Sequence, residues 1–133
     1  MDTSIRHVMR EASRQSDEGS QSFPEIVRQL MAAGVERYHQ DLLRSERTYY
    51  LPDGESEVVR NDPVPVMPAE SFSAPGVEAA VRAVQAGAID YREFCRRAMD
   101  AGCVGYIVSI AGKRVVYYGR TGDSHVEYFP GSK

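Results

Sequence analysis

Residues 23–58 of this chain align with residues 91–126 without a gap, at a constant separation of 68 positions. Eleven of the 36 aligned pairs are identical, among them Glu25/Glu93, Arg28/Arg96, Gly34/Gly102, Tyr38/Tyr106, Tyr49/Tyr117 and Gly54/Gly122. Average composition predicts about two such matches by chance. An internal duplication is therefore expected, and each half must be able to form the same local structure as the other.

Both copies open with a helix signal. Asp90, with Glu93 three residues on, and Ser22, with Glu25, have the spacing of a helix cap and its capping-box partner. Behind them Tyr91, Phe94, Cys95, Ala98 and Met99 recur at helical intervals, as do Phe23, Ile26, Val27, Leu30 and Met31. Each set makes one buried stripe. Gly102 and Gly34 then end the two helices, because glycine takes the left-handed terminal conformation without strain. A further helix precedes each: Ile5, Val8, Met9 and Ala12 match Val77, Ala80, Val81 and Val84 at an offset of 72.

After each glycine the pattern turns extended. "CVGYIVSI" and "RVVYYG" are rich in β-branched and aromatic residues, with "AGK" as hairpin punctuation between them. "SHVEYF" follows "RTGD" as "SEVV" follows "PDGE". The prolines of "RNDPVPVMPAESF" exclude a helix or a central strand there. The expected fold is α+β, an α-α-β-β-β unit repeated, with antiparallel meander sheets and helices packed on one face. It forms one domain over 1–133, built from pseudo-repeats 1–60 and 73–129 and joined by an extended connector at 60–72.

Size and charge narrow the function classes. A chain of 133 residues buries roughly two-thirds of its unfolded surface and folds alone. Sixteen basic and 19 acidic residues, net −3, give no field for attracting phosphate backbones, so nucleic acid is not an expected partner. No apolar run reaches the ~20 residues of a membrane span, and the charged helical start "MDTSIRHVMREASRQ" is unlike a secretion signal. A soluble, cytoplasmic protein is expected. Two cysteines without a C-x-x-C and without a histidine cluster imply no metal site and no cofactor.

Candidate side chains are judged against their partners in the other copy. Cys95 and Cys103 stand where the first copy has Val27 and Val35, which marks them as small apolar core residues and not nucleophiles. His125 is expected solvated near a strand end. Strand alternation places Arg37, His39 and Asp41 opposite Tyr38 and Leu42, and the next strand is expected to add Arg47 and Tyr49 to that same face. Such a group would suit an anionic small ligand, or acid/base chemistry by His39 and Asp41 with Arg37 or Arg47 holding the anion. The matching face of the second copy reads Gly105, Ile107, Ser109, Val115 and Tyr117. Its apolar members Ile107, Val115 and Tyr117 are the candidate surface for a protein partner or a second copy in a homodimer.

The stretches "VQAGAIDYREFCRRAMDAGCVGYIV" and "VVYYGRTGDSHVEYFP" resemble the bacterial and prophage-borne YbcV-like proteins, as do "FPEIVRQLMAAGVERY" and "TYYLPDGESEVV". That family is catalogued as a domain of unknown function and sometimes labelled "phage envelope protein". The chain departs from it at Tyr106, where a tryptophan is expected, and at Val116, in a strand that often carries a cysteine. The resemblance implies a bacterial, prophage-related protein and brings no assigned catalytic residue. With no catalytic constellation and two unequal sheet faces, the expected function is non-catalytic binding at a sheet face or between the repeats.

Overall fold

The computed structural model describes residues 1–130. Helices α1 (Thr3–Glu18) and α2 (Phe23–Ala32) precede strands β1 (Arg37–Asp41), β2 (Glu46–Tyr50) and β3 (Ser56–Arg60). The same order follows in α3 (Ala74–Gln85), α4 (Tyr91–Asp100), β4 (Cys103–Ser109), β5 (Arg114–Gly119) and β6 (Ser124–Tyr128). Among the described residues no helix is long and apolar enough to cross a membrane.

The expected helix starts are formed. Ser22 Oγ accepts from the Glu25 N–H at 3.3 Å, and Asp90 Oδ1 accepts from the Glu93 N–H at 2.8 Å. Only half of each capping box closes, because the two glutamates turn outward to Arg28 and Arg97. At the other end Gly102 has φ +89°, and a Cβ there would run into the Ser71 carbonyl. Glycine is thus required at Gly102 both by conformation and by space.

The six strands form one antiparallel sheet in the order β3-β2-β1-β4-β5-β6, two meanders joined along β1 and β4. Facing is set by the hairpins. Asp41 pairs with Glu46 and Ser109 with Arg114, so each loop holds four residues. An even loop pairs residues of opposite parity, which puts odd positions of one strand beside even positions of the next. Tyr38 is therefore level with Tyr49, Gln40 with Arg47, Tyr106 with Tyr117, and Val108 with Val115. The expectation that Arg47 and Tyr49 share a face with His39 is corrected here, as is the grouping of Val115 and Tyr117 with Ile107. All four belong to the opposite, helix-covered face, where they are buried.

The helices lie on that one face, as expected, and the core sits between the layers. Met9, Leu30, Val77, Ala98, Met99 and Val108 are at its centre. Residues 61–73 run without regular structure past the end of α4. There the Ala69 N–H donates to Met99 O at 3.0 Å and the Ser73 N–H to Ala101 O at 2.7 Å. This segment separates two residues that the sequence treats as equals: Met99, beneath it, is 1% exposed, whereas Met31 is 53% exposed.

Candidate functional site

On the helix-covered face, two adjacent positions in the middle of each half decide what that half can do. In the first half they are Gln40 and Arg47, paired across β1 and β2. In the second the aligned positions are Val108 and Val115, paired across β4 and β5. The flanking residues diverge the same way: Asn61 against Phe129, Asp62 against Pro130, Tyr91 against Phe23, and Arg92 against Pro24.

In the first half the space above the sheet is filled by a polar network. The Arg47 side chain is 1% exposed. Its Nη1 donates to Ser13 Oγ at 2.8 Å and its Nη2 to Asp17 Oδ1 at 3.2 Å. Asn61 Nδ2 donates to Asp17 Oδ2 at 2.9 Å, and the guanidinium lies 5.3 Å from the centre of the Tyr91 ring. A buried guanidinium held by a carboxylate and a hydroxyl is a structural element, since removing either partner strands a charge. A cavity of about 120 Å³ remains beside it, between Gln40, Asn61, Tyr91, Cys95 and Met99. Gln40 Oε1 and Asn61 Oδ1, on residues that line it, are buried without a protein partner, as is the nearby Arg47 Nε; the two oxygens could accept from a water in that space.

In the second half the corresponding space opens into a groove of about 1170 Å³ between the helices of the two halves. Tyr38, Tyr106, Val108, Val115 and Tyr117 floor it, Val81 and Val84 of α3 form one wall, and Phe94 of α4 contributes another. Phe23 and Phe129 meet edge to face at its rim, with ring centres 5.2 Å apart. Polar groups are few. Tyr91 and Tyr106 share a hydrogen bond at 2.7 Å, and Glu127 stands at one end. Burial pushes the Tyr106 phenol up to about 12 and those of Tyr38 and Tyr117 well above their ordinary value. The floor is therefore uncharged at neutral pH. A largely apolar concavity with a few fixed polar groups has the make-up of a small-molecule site.

The other sheet face carries no helix among the described residues, and Arg37, His39, Asp41 and Ile107 do lie on it. They do not converge. Arg37 pairs with Glu36 and lies 4.3 Å from the centre of the Tyr50 ring. Asp41 Oδ1 accepts from the N–H groups of Leu43 and Arg44, both at 3.0 Å, and so serves its own hairpin. His39 Nε2 instead meets the Tyr118 hydroxyl at 2.6 Å. That phenol crosses the strand over Gly105, where a Cβ would lie 2.5 Å from its oxygen. Burial first, and then the Asp41 charge, raise the Tyr118 pKa. Sequence reasoning missed Tyr118, although Gly105, on the strand beside that of His39, was a readable sign of close approach. Ile107 is 38% exposed in a row that runs Val58, Thr48, His39, Ile107, Val116, Val126 across the sheet.

Both cysteines are buried, in keeping with their valine counterparts. Burial pushes each thiol up to about 11, which leaves little thiolate at neutral pH. His125 departs from expectation: it is half-buried on the helix-covered face, with Nε2 2.5 Å from Glu127 Oε2. Burial works against the Glu127 charge, but hydrogen bonds from His125 and Arg82 outweigh it and hold the carboxyl below its ordinary range.

The chain is thus a mixed α+β protein with an antiparallel sheet covered on one face. It belongs to the family described as "Protein of unknown function (DUF1398)", which matches residues 57–127, more than half of its length. Uncharacterized proteins of Mycobacterium tuberculosis and Mycobacterium bovis are 30% identical to it over 110 residues, covering 80% of this chain and 66% of each relative. The chain thus spans about two thirds of the length of these curated relatives.

Proposed function

We propose that this protein binds a small, largely apolar molecule in the groove between its halves, without transforming it. The observation that carries this reading is the pair of valines in the lining: where the first half seats Arg47 beside Gln40, the second places Val115 and Val108 at the buried bottom of the groove, with no polar side chain at either position. The cavity exceeds the usual ~300–1,000 Å³ of a ligand pocket, room enough for a molecule of drug or lipid size. The two halves are read as descendants of one duplicated unit, of which one kept a filled interior and the other gained a site.

The neutral fluorescent probe N-phenyl-1-naphthylamine tests the reading. Saturable binding to the native chain is expected, weakened at least about tenfold, or ~1.4 kcal/mol, by Val84→Trp, which fills one wall. An unsaturable signal, or equal affinity in the variant with an unchanged melting temperature, would contradict it. Extending the reading to a prophage-derived cytoplasmic protein rests on family resemblance. Phage genes flanking the coding sequence would support that extension.

A second reading has one observation in its favour, the 2.6 Å contact between His39 and Tyr118. An acid/base role for His39 and Asp41 would have to use that phenol, with Arg37 as the only one of the two proposed arginines on the same face. A His39→Ala variant with undiminished turnover of any substrate found would dismiss it.

A further inference from the structure

We infer that His125, Glu127 and Glu78 form a binding site for a divalent first-row transition metal such as Zn²⁺ at the β6 edge of the sheet. His125 and Glu127 are two residues apart on one strand, so alternation directs both toward the helices. Helix α3 packs over that edge and brings Glu78 down to them. The His125 Nε2 lies 2.5 Å from Glu127 Oε2 and 4.0 Å from Glu78 Oε2. The three ligand atoms all fall within 4.8 Å of one another.

Two atoms each about 2.0–2.2 Å from one ion stand at most about 4.4 Å apart. Glu78 therefore needs to close only roughly a few tenths of an ångström, and its side chain, 53% exposed, has the freedom to do so. His125 and Glu127, at 16% and 11% exposed, share a 2.5 Å hydrogen bond; an ion between them takes the place of that proton and opens the pair to roughly 3.3 Å, the spacing of neighbouring ligands in a tetrahedral site. One imidazole nitrogen with two carboxylate oxygens suits zinc, iron or manganese better than the all-oxygen preference of calcium or magnesium. Arg82 makes its shorter contact, 2.9 Å, with Glu127 Oε1. That leaves Oε2 turned toward His125, an outer-shell group orienting a ligand. With a neutral imidazole, the two carboxylates and one guanidinium sum to one negative charge, which a dication neutralises.

The first half shows what the same positions look like without such a site. Glu78, Arg82, His125 and Glu127 align with Arg6, Arg10, Glu57 and Val59. There Arg10 Nη2 meets Glu57 Oε2 at 2.7 Å and Arg6 Nε lies 3.6 Å from Glu57 Oε1, so two cations clamp one carboxylate. One potential ligand has become three. Glu127 also lines the groove, so an ion here would border that cavity, but its binding does not depend on any groove ligand.

Titrating Zn²⁺ alone into the chelator-stripped chain by calorimetry tests the site. One equivalent is expected, abolished by His125→Ala, weakened at least about tenfold by Glu78→Gln, and unchanged in His7→Ala and His39→Ala. Glu78→Gln alters an exposed helix position, and circular dichroism verifies that it remains folded. Absence of saturable binding, or an equivalent that persists in both His125→Ala and Glu78→Gln, overturns the site. The four side chains would then be a closed hydrogen-bonded cluster.

Discussion

The two halves share an order of elements, a hairpin loop length and a helix-stop glycine, yet they spend the middle of the sheet differently. One seats a buried guanidinium on Ser13 and Asp17, with Asn61 holding the other oxygen of Asp17; the other lines a groove with two valines. The difference teaches that a repeated backbone plan does not fix the character of its interior. Two side chains on neighbouring strands are enough to turn a filled layer into a cavity.

The largest expected effect comes from breaking the filled half. Asp17→Ala strands the buried Arg47 guanidinium, 1% exposed, and should cost about 3–5 kcal/mol in urea unfolding. A loss under about 1 kcal/mol, the level of a surface ion pair, would break the contrast by showing that the network is solvated. Next come the two methionines at aligned positions. Met99→Ala should cost about 2–5 kcal/mol, and Met31→Ala less than about 0.5 kcal/mol; equal losses would mean that the connector does not cover α4 as described.

Smaller effects sharpen the comparison on the open face. Gly105 stands where the first half has Arg37, and a Cβ there would press on the Tyr118 hydroxyl and, at 2.9 Å, on the Gln40 carbonyl. Gly105→Ala should cost about 1–3 kcal/mol and separate Tyr118 from His39, a change visible as a shifted His39 ring resonance. An unshifted resonance would disprove the contact. Least of all, Cys95→Val and Cys103→Val restore the residues of the first half. Each should change stability by less than about 1.5 kcal/mol, while both native thiols stay slow to alkylate until the protein unfolds. Rapid alkylation of the native chain would contradict their burial.

Much of this contrast could be read in the sequence, and the reason it was not read fully is physical. Helices carry their phase in a 3.6-residue period, so the stripes of α2 and α4 and the caps at Ser22 and Asp90 were legible. Strands carry only a period of two, and "VVYYG" places similar residues on both faces, which hides the phase. The phase is then set by loop length: four residues between Asp41 and Glu46 send Arg47 inward, away from His39. Once the parity is counted, the Val108–Val115 pair and the Gln40–Arg47 pair face the helices together. Met31 went astray for another reason, since its cover in the sister position comes from a connector outside the repeat. The cluster at His125 needs α3 to lie on β6, a contact between residues 45 or more positions apart that no local pattern announces.

The most direct test of the groove is a methyl NMR titration of the valine-labelled chain with N-phenyl-1-naphthylamine. Shifts confined to Val81, Val84, Val108 and Val115, with Val58, Val116 and Val126 unmoved, are the predicted result. Shifts confined instead to Val58, Val116 and Val126 would move the binding site to the open sheet face and contradict the account.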